Sequence, residues 1–209
     1  MKTRDVFGFC APGYDAFMRL FGFYHVDTLK RLLPLADTAE PHALLDVAGG
    51  TGYLASRFTT GFGRIVVLDQ SEGMLAVARR RGLETVRASA LAMPFSDGTF
   101  DTVMCTDALH HIKDIEGAIA EMARVVKPGG TILIQEFDIR SAAGWCLARF
   151  EHLFLDRSRF ITPDELRDVM TRHGLLATLH PLSRLEYVCI GVKQRRSFAR
   201  KHNGTTEGF

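Results

Sequence analysis

The sequence predicts a doubly wound α/β protein, with an open, mostly parallel sheet, helices on both faces and one antiparallel strand inserted at the end. Three observations carry this. Continuous apolar runs such as Ile65-Val66-Val67-Leu68 read as strands covered on both faces. These runs alternate with helical patterns through most of the chain, the order that a parallel sheet requires. A glycine-rich turn, Ala48-Gly49-Gly50-Thr51-Gly52, follows directly on the apolar run that contains Asp46, which marks a strand–loop–helix unit.

The elements follow in order. Residues 1–13 contain Gly8, Pro12 and Gly13 and read as turns. From Tyr14 to Leu33 a helical rhythm appears (Phe17, Leu20, Phe21, Tyr24, Leu29, Leu32, Leu33), divided in two at Gly22. Its aromatic density fits either core packing or a cap over a site. Residues 34–42 form a polar linker, and 43–47 the first strand. A helix over 52–60 follows, then a strand over 64–69 and a helix over 71–80 with Ser71 as N-cap. Short strands at 84–88 and 100–105 precede a well-patterned helix over 115–126, with Ile115, Ala118, Ile119, Met122, Val125 and Val126 on one face. Lys127-Pro128-Gly129-Gly130 ends it sharply, and strand five runs from 131 to 137.

Residues 138–161 lack a clear period but hold Trp145, Phe150, His152, Phe154 and Phe160; with the N-terminal helices they suggest a lid over an apolar or aromatic ligand. Thr162-Pro163-Asp164-Glu165 is a helix start, with cap, first-turn proline and capping-box glutamate in place. That helix runs to about His173 and stops at Gly174. Two closing strands, 175–182 and 186–192, bring the count to seven. The expected organisation is an N-terminal helical cap (1–42), one central domain (43–192, with 138–161 as a lid-like insertion) and a basic polar tail (193–209).

Composition bounds the function. The 209 residues are 46% hydrophobic and 24% charged, ordinary for one globular core. No apolar run reaches the roughly 18 residues of a membrane span, and the first residues lead into no signal-peptide core. A net charge of +2 is too small to argue for nucleic acid. Cys10, Cys105, Cys146 and Cys189 stand far apart, without the spacing of a metal cluster or disulfide framework. Reduced thiols, a cytoplasmic setting and no metal are expected.

The glycine turn alone is weak, since Gly50-Thr51-Gly52-Tyr53-Leu54-Ala55 also fits the relaxed dinucleotide fingerprint. Asp46 points away from that reading, because a carboxylate there would meet a cationic ligand end and repel a pyrophosphate. Asp69, at the end of strand two, can accept hydrogen bonds from ribose hydroxyls in either ligand class.

The order of Leu-Asp-Val-Ala-Gly-Gly-Thr-Gly (45–52), Val-Leu-Asp-Gln-Ser-Glu-Gly-Met-Leu (67–75), Met-Pro-Phe-Ser-Asp-Gly-Thr-Phe-Asp-Thr-Val (93–103) and Val-Val-Lys-Pro-Gly-Gly (125–130) resembles the class I S-adenosylmethionine-dependent methyltransferases. Within them it is most similar to the small-molecule branch that includes the ubiquinone/menaquinone biosynthesis enzymes. The likeness is close over residues 43–137 and loose beyond. It implies a Rossmann-like fold, S-adenosyl-L-methionine as donor, S-adenosyl-L-homocysteine as product and a small-molecule acceptor, with no nucleic-acid partner and a homodimer allowed. It further implies that Ala48, Gly49, Gly50 and Gly52 lie against the methionine part of the cofactor and that Asp46 holds its amino end. Asp69 would hold the ribose, Gln70 and Met74 flank ribose and adenine, and Ser89, Ala90 and Leu91 edge the adenine. Two departures stand out: Ala48 replaces the usual first glycine, and Ser89 replaces an acid that often contacts the adenine amino group.

Strand four runs into Thr106-Asp107-Ala108-Leu109-His110-His111, near the expected methyl position. His110 and His111 are candidate general bases, since histidine titrates near neutral pH; binding or packing roles are the alternative, and Asp107 stands with them. Glu136 and Asp138, ending strand five, could orient a polar acceptor. Rival readings are a non-catalytic S-adenosylmethionine-binding protein, a nicotinamide enzyme, and an RNA or protein methyltransferase using the basic tail. The Asn/Asp-Pro-Pro-Tyr signature of amino-group nucleic-acid methyltransferases is absent after strand four.

Overall fold

The structure is a computed structural model; it describes residues 6–20, 22, 24–33, 42–58, 60–141, 144, 145, 149 and 159–195. Seven strands form one sheet: β1 (His42–Val47), β2 (Phe62–Asp69), β3 (Glu84–Arg87), β4 (Phe100–Thr106), β5 (Val126–Phe137), β6 (Leu175–Pro181) and β7 (Glu186–Lys193). Their order is β3-β2-β1-β4-β5-β7-β6. The first five pair in parallel. β7 is antiparallel to both neighbours and is inserted between β5 and β6, as expected for a single reversed strand.

Side chains alternate between two cores, as strand geometry demands. Leu45, Val47, Val103, Cys105, Ile132 and Ile134 pack with α4 (Ile115–Val125) and α5 (Pro163–Arg172). Leu44, Val67, Met104, Leu133 and Val188 pack on the other face with α2 (Val26–Leu32) and α3 (Glu72–Arg80). The starts of α3 and α5 are the predicted ones. Ser71 accepts the Met74 N–H, and Thr162 and Glu165 form a full capping box ahead of Pro163. Lys193 Nζ reaches from β7 to the carbonyls of Ala123 and Val126, satisfying the exposed acceptors at the C-terminus of α4.

Three expectations need correction. The predicted helix over 52–60 is a single 3₁₀ turn, Ala55–Arg57. Eight residues between the left-handed Gly52 and Gly61, with Ser56 and two threonines among them, cannot repay helix nucleation. The turn-rich reading of residues 1–13 also fails, because α1 spans Val6–Leu20 through Gly8, Pro12 and Gly13. Gly8 is there to let α1 cross α3 closely: a Cβ on Gly73 would lie 2.5 Å from the Gly8 Cα. Finally, strand five starts at Val126, not 131. Phe100 pairs with Val126 and Thr102 with Thr131, so residues 127–130 bulge opposite Asp101. Lys127 Nζ bonds both Asp101 carboxylate oxygens at 2.8 Å and pins that bulge.

Of the proposed lid, Phe150 and Phe154 lie outside the described residues, as do the tail beyond 195 and most of the 34–42 linker. Trp145 is described and is exposed, with the Arg149 guanidinium 5.6 Å from its ring centre. Among the described residues no helix is long and apolar enough to cross a membrane, and no group of side chains could hold a metal ion.

Candidate active site

The carboxyl ends of β1, β2, β4 and β5 gather the chemically distinctive residues, where open α/β sheets bind ligands. The turn after β1 is built by glycine and by one strained alanine. Gly50 and Gly52 have φ of 54° and 67°, and Ala48 sits at 54°, so the residue that departs from the usual glycine adopts a glycine's conformation. Gly49 must be glycine for space: its Cβ would lie 2.4 Å from the Asp46 carboxyl. Gly52 N–H closes the turn on the Gly49 carbonyl at 2.9 Å.

Asp69 holds this turn in place. Its Oδ2 accepts the Gly50 N–H at 2.9 Å and its Oδ1 the Ser71 N–H at 2.8 Å. A carboxylate oxygen can accept more than one hydrogen bond, so these tethers and a ribose hydroxyl are compatible on Asp69. Met74 is buried beneath, its sulfur 3.8 Å from where a Gly50 Cβ would be. Gln70 is exposed at the rim. Ser89 spends its hydroxyl on the Leu91 N–H at 3.1 Å and so shapes the turn that carries Ala90, buried, and Leu91, exposed. The eleven expected cofactor-binding residues thus sit on the end of β1, this turn, the ends of β2 and β3 with the residues that follow them, and, for Met74, the first turn of α3.

Asp46 is the electrostatic centre. It is 1% exposed, and its Oδ1 meets no hydrogen-bond donor among the described residues. Burial, and then the Asp69 carboxylate, push its carboxyl well above the usual range. A buried carboxylate in this state calls for a cation. The ammonium of a methionine-bearing cofactor fits, and a pyrophosphate does not.

A contribution that sequence reasoning missed comes from α1. Asp15 Oδ1 accepts from Thr51 Oγ1 at 2.6 Å and from the Tyr24 hydroxyl at 3.0 Å, and its other oxygen pairs with Arg81. Arg81 also donates to the Thr51 carbonyl. Tyr24 stacks on Tyr53 with ring centres 4.3 Å apart. No spacing rule links residues 15, 51 and 81.

At the β4 and β5 ends a second polar group is buried. Asp107 has φ of 49° and is raised far above the usual carboxylate range, by burial first and then by Glu186 and Glu136. Gln135 Nε2 donates to the Asp107 carboxylate (3.0 Å) and to Glu186 Oε1 (2.9 Å). Glu186 Oε2 in turn lies 2.7 Å from His25 Nε2, which links β7 to the residue before α2. His110 is likewise buried, with Nδ1 2.7 Å from Glu136 Oε2. His111 is half-buried beside it, ring centres 4.0 Å apart. Asp138, by contrast, is a strand-end carboxylate paired with Arg140. The thiols are not poised for chemistry, since burial raises Cys105 strongly and Cys189 to about 12.

Above His110 lies a small apolar cluster. Met18 and Phe137 are buried together, with Tyr14, Tyr24 and Phe160 packed on them. Tyr14 and Tyr24 of the N-terminal segment thus meet the end of β5.

Residues 45–134 match the family model described as a methyltransferase domain. The demethylmenaquinone methyltransferase of Renibacterium salmoninarum is 36% identical over 139 residues, covering 65% of this chain and 59% of that protein. The ubiquinone/menaquinone biosynthesis C-methyltransferase UbiE of Enterobacter sp. is 35% identical over 147 residues, with the same shares covered. This chain therefore spans about three-fifths of the length of these curated relatives. A crystal structure of a SAM-dependent methyltransferase from Thermotoga maritima superposes with a TM-score of 0.78 at 21% identity, over 92% of this chain and all of that one, a likeness of fold. Residues 45–134 thus resemble a methyltransferase domain, and the chain is similar in sequence to quinone-biosynthesis methyltransferases over about three-fifths of their length.

Proposed function

We propose, from a chain built around that domain, that the protein transfers the methyl group of S-adenosylmethionine to a small apolar or aromatic acceptor, the quinone-type ring being the first class to try. The observation that carries the cofactor assignment is Asp46, a buried carboxylate whose Oδ1 meets no donor among the described residues, pressed against a Gly49 that has no room for a Cβ. When bound, the cofactor supplies an activated methyl on a sulfonium. The chain's own task is to hold both partners in line. Asp46 would take the ammonium, the turn of residues 48–52 would lie against the methionine part, Asp69 would hold the ribose, Gln70 and Met74 would flank ribose and adenine, and Ser89, Ala90 and Leu91 would edge the adenine. The apolar cluster of Met18, Phe137 and Phe160 supports the acceptor assignment. It also supports residues 1–42 as a cap that excludes water from the reacting atoms. A cytoplasmic site of action fits the free thiols of Cys105 and Cys189.

Calorimetric titration with S-adenosylhomocysteine, with NADH as control, tests this reading. Micromolar binding that Asp69→Ala weakens by at least tenfold is the expected result, because both its hydroxyl contacts and the Gly50 tether are lost. Binding of NADH without binding of S-adenosylhomocysteine would overturn the assignment.

A further inference from the structure

We propose that α1 is a hinged flap, pivoting at Gly22 and latched by Asp15, which opens to let the donor in and, when shut, completes the wall for the acceptor. The proposal rests on the methyl-transfer reading and concerns how the two halves of the site are coupled.

α1 touches both halves. Near its start it meets α3, where a Cβ on Gly73 would lie 2.5 Å from the Gly8 Cα. One helical stretch later, Asp15 accepts from Thr51 Oγ1 at 2.6 Å in the middle of the glycine turn, and pairs with Arg81 just past α3. Its last turn carries Met18, buried with Phe137 at the end of β5, with Tyr14 and Phe160 packed on them. A single helix is stiff, so it cannot lift from the glycine turn without also leaving Phe137.

The chain is anchored beyond this helix. His25 Nε2 lies 2.7 Å from Glu186 Oε2, and Leu29 of α2 is fully buried. Tyr24, on the anchored side, stacks on Tyr53 and reaches back to Asp15 with its hydroxyl at 3.0 Å. Between helix and anchor stands Gly22, with φ of 74° and nothing within 4 Å of the place its Cβ would take. A glycine in open space absorbs a change of backbone angle without displacing a neighbour, which is what a hinge needs.

What holds the flap down is largely polar. Of the α1 side chains described, only Ala11 and Met18 are buried, and Leu20 at its end is 81% exposed. Asp15, by contrast, takes donors from Thr51, Tyr24 and Arg81. Segments with few buried apolar groups open at a free energy well below that of global unfolding. Release of Asp15 lifts α1 off the turn against which the methionine part of the donor would lie. The same movement takes Met18 and Tyr14 away from Phe137. The donor therefore enters the open form, and the acceptor's apolar wall is complete only in the shut one.

The test uses the full chain in wild-type, Asp15→Asn and Gly22→Ala forms, each checked for folding by circular dichroism. Asp15→Asn keeps the side-chain shape and removes the charge facing Arg81. Gly22→Ala adds a methyl that meets nothing, and acts only by disfavouring the left-handed backbone of the shut form. Surface plasmon resonance reads the rates of S-adenosylhomocysteine binding, and amide hydrogen exchange reads residues 14–20. In Asp15→Asn we expect the association rate to rise about threefold and the dissociation rate about 30-fold, because more of the protein stands open and the shut complex opens sooner. Gly22→Ala should raise both rates by smaller factors. S-adenosylhomocysteine should slow exchange in wild-type α1 by about tenfold, and by less in either variant. A contact that merely stiffens the turn would, when cut, leave the association rate unchanged or lower it. An association rate that does not rise in a folded variant overturns the proposal, as does wild-type α1 exchange that S-adenosylhomocysteine leaves unchanged. Failure of the methyl-transfer reading shows differently, as absent S-adenosylhomocysteine binding by the wild-type protein.

Discussion

Asp15 accepts a hydrogen bond from the Thr51 hydroxyl at 2.6 Å, across 36 residues of chain. The first helix is thereby fastened to the middle of the glycine turn, and Arg81 closes the same cluster from the end of α3. Asp15→Ala should release both. The expected cost is about 1–3 kcal/mol of stability, because Arg81 and Thr51 lose a charged partner in a half-buried place. S-adenosylhomocysteine binding should weaken by about three- to tenfold, since a loosened turn must be reordered on binding. Urea melts and calorimetry on the same samples check the pair of effects.

Asp46→Asn should move stability and binding in opposite directions. The ligand-free protein gains about 1 kcal/mol or more at neutral pH, because a carboxyl whose folded pKa is raised is destabilising once ionised. The sign gives a pH signature. The wild type loses this contribution as pH rises above the ordinary value of 3.8, so its deficit relative to Asp46→Asn widens with pH and vanishes in acid. Affinity for S-adenosylhomocysteine should drop by on the order of 100-fold with loss of the buried charge pair. Thermal melts from pH 4 to 8 check the first statement.

The link between His25 and Glu186 predicts a trend of the same sign in a higher pH window. The hydrogen bond that the His25 ring donates to Glu186 raises its pKa above the ordinary 6.5, against a smaller lowering by burial. Its stabilisation is complete below 6.5 and is lost as pH rises through the folded value, an effect on the order of 1 kcal/mol for a partly exposed pair. Unfolding of wild type and His25→Gln should therefore converge between pH 6.5 and 9, with the wild type more stable at pH 6. A difference that is constant with pH would show that packing, not the ion pair, sets the contribution.

Gly73→Ala tests the crossing of α1 and α3. In an isolated helix the change would stabilise by up to about 1 kcal/mol. Here the new methyl meets the Gly8 Cα at 2.5 Å and its carbonyl oxygen at 2.8 Å, backbone atoms that cannot turn aside. Destabilisation of about 1–3 kcal/mol is expected. Paired with Asp15→Ala the effects should be less than additive, since both act by lifting α1.

Periodicity and caps made most of this fold legible. The buried runs of β1, β2 and β4 and the caps at Ser71 and Thr162 are local signals, and the elements they mark begin within two residues of their expected places. Where tertiary contact decides, the local signals misled. Gly8, Pro12 and Gly13 read as turns, but the close approach to Gly73 keeps that segment helical. Pro128-Gly129-Gly130 reads as the stop of the preceding helix, and α4 does end at Val125, but the pairing of Lys127 with Asp101 draws these residues into a bulge of β5, outside the strand expected over 131–137. In the site, Asp46, Asp69 and the glycines were visible because their roles sit within one strand–turn unit. Asp15, Arg81 and Glu136 act across gaps of 26 to 66 residues. Only the pairing of Thr106 with Gln135 would have set Glu136 near the turn bearing His110, and that register follows from the topology rather than from any spacing.

The reversed strand also governs how the molecule can be assembled. β7 follows every other strand in the chain yet lies inside the sheet, between β5 and β6. Until residues 186–193 have left the ribosome, β5 keeps an open edge, β6 has no partner, and Glu186 is not there to meet Gln135 and His25. The nascent chain can pair β1 to β5 early, but it cannot finish the sheet or the polar link behind Asp107 until this last strand slots in. Such a distant closure makes folding slow and leaves an exposed β5 edge for other chains to capture meanwhile. A destabilising change in β7 should therefore show first as poor soluble yield during synthesis, before any defect appears in the purified protein.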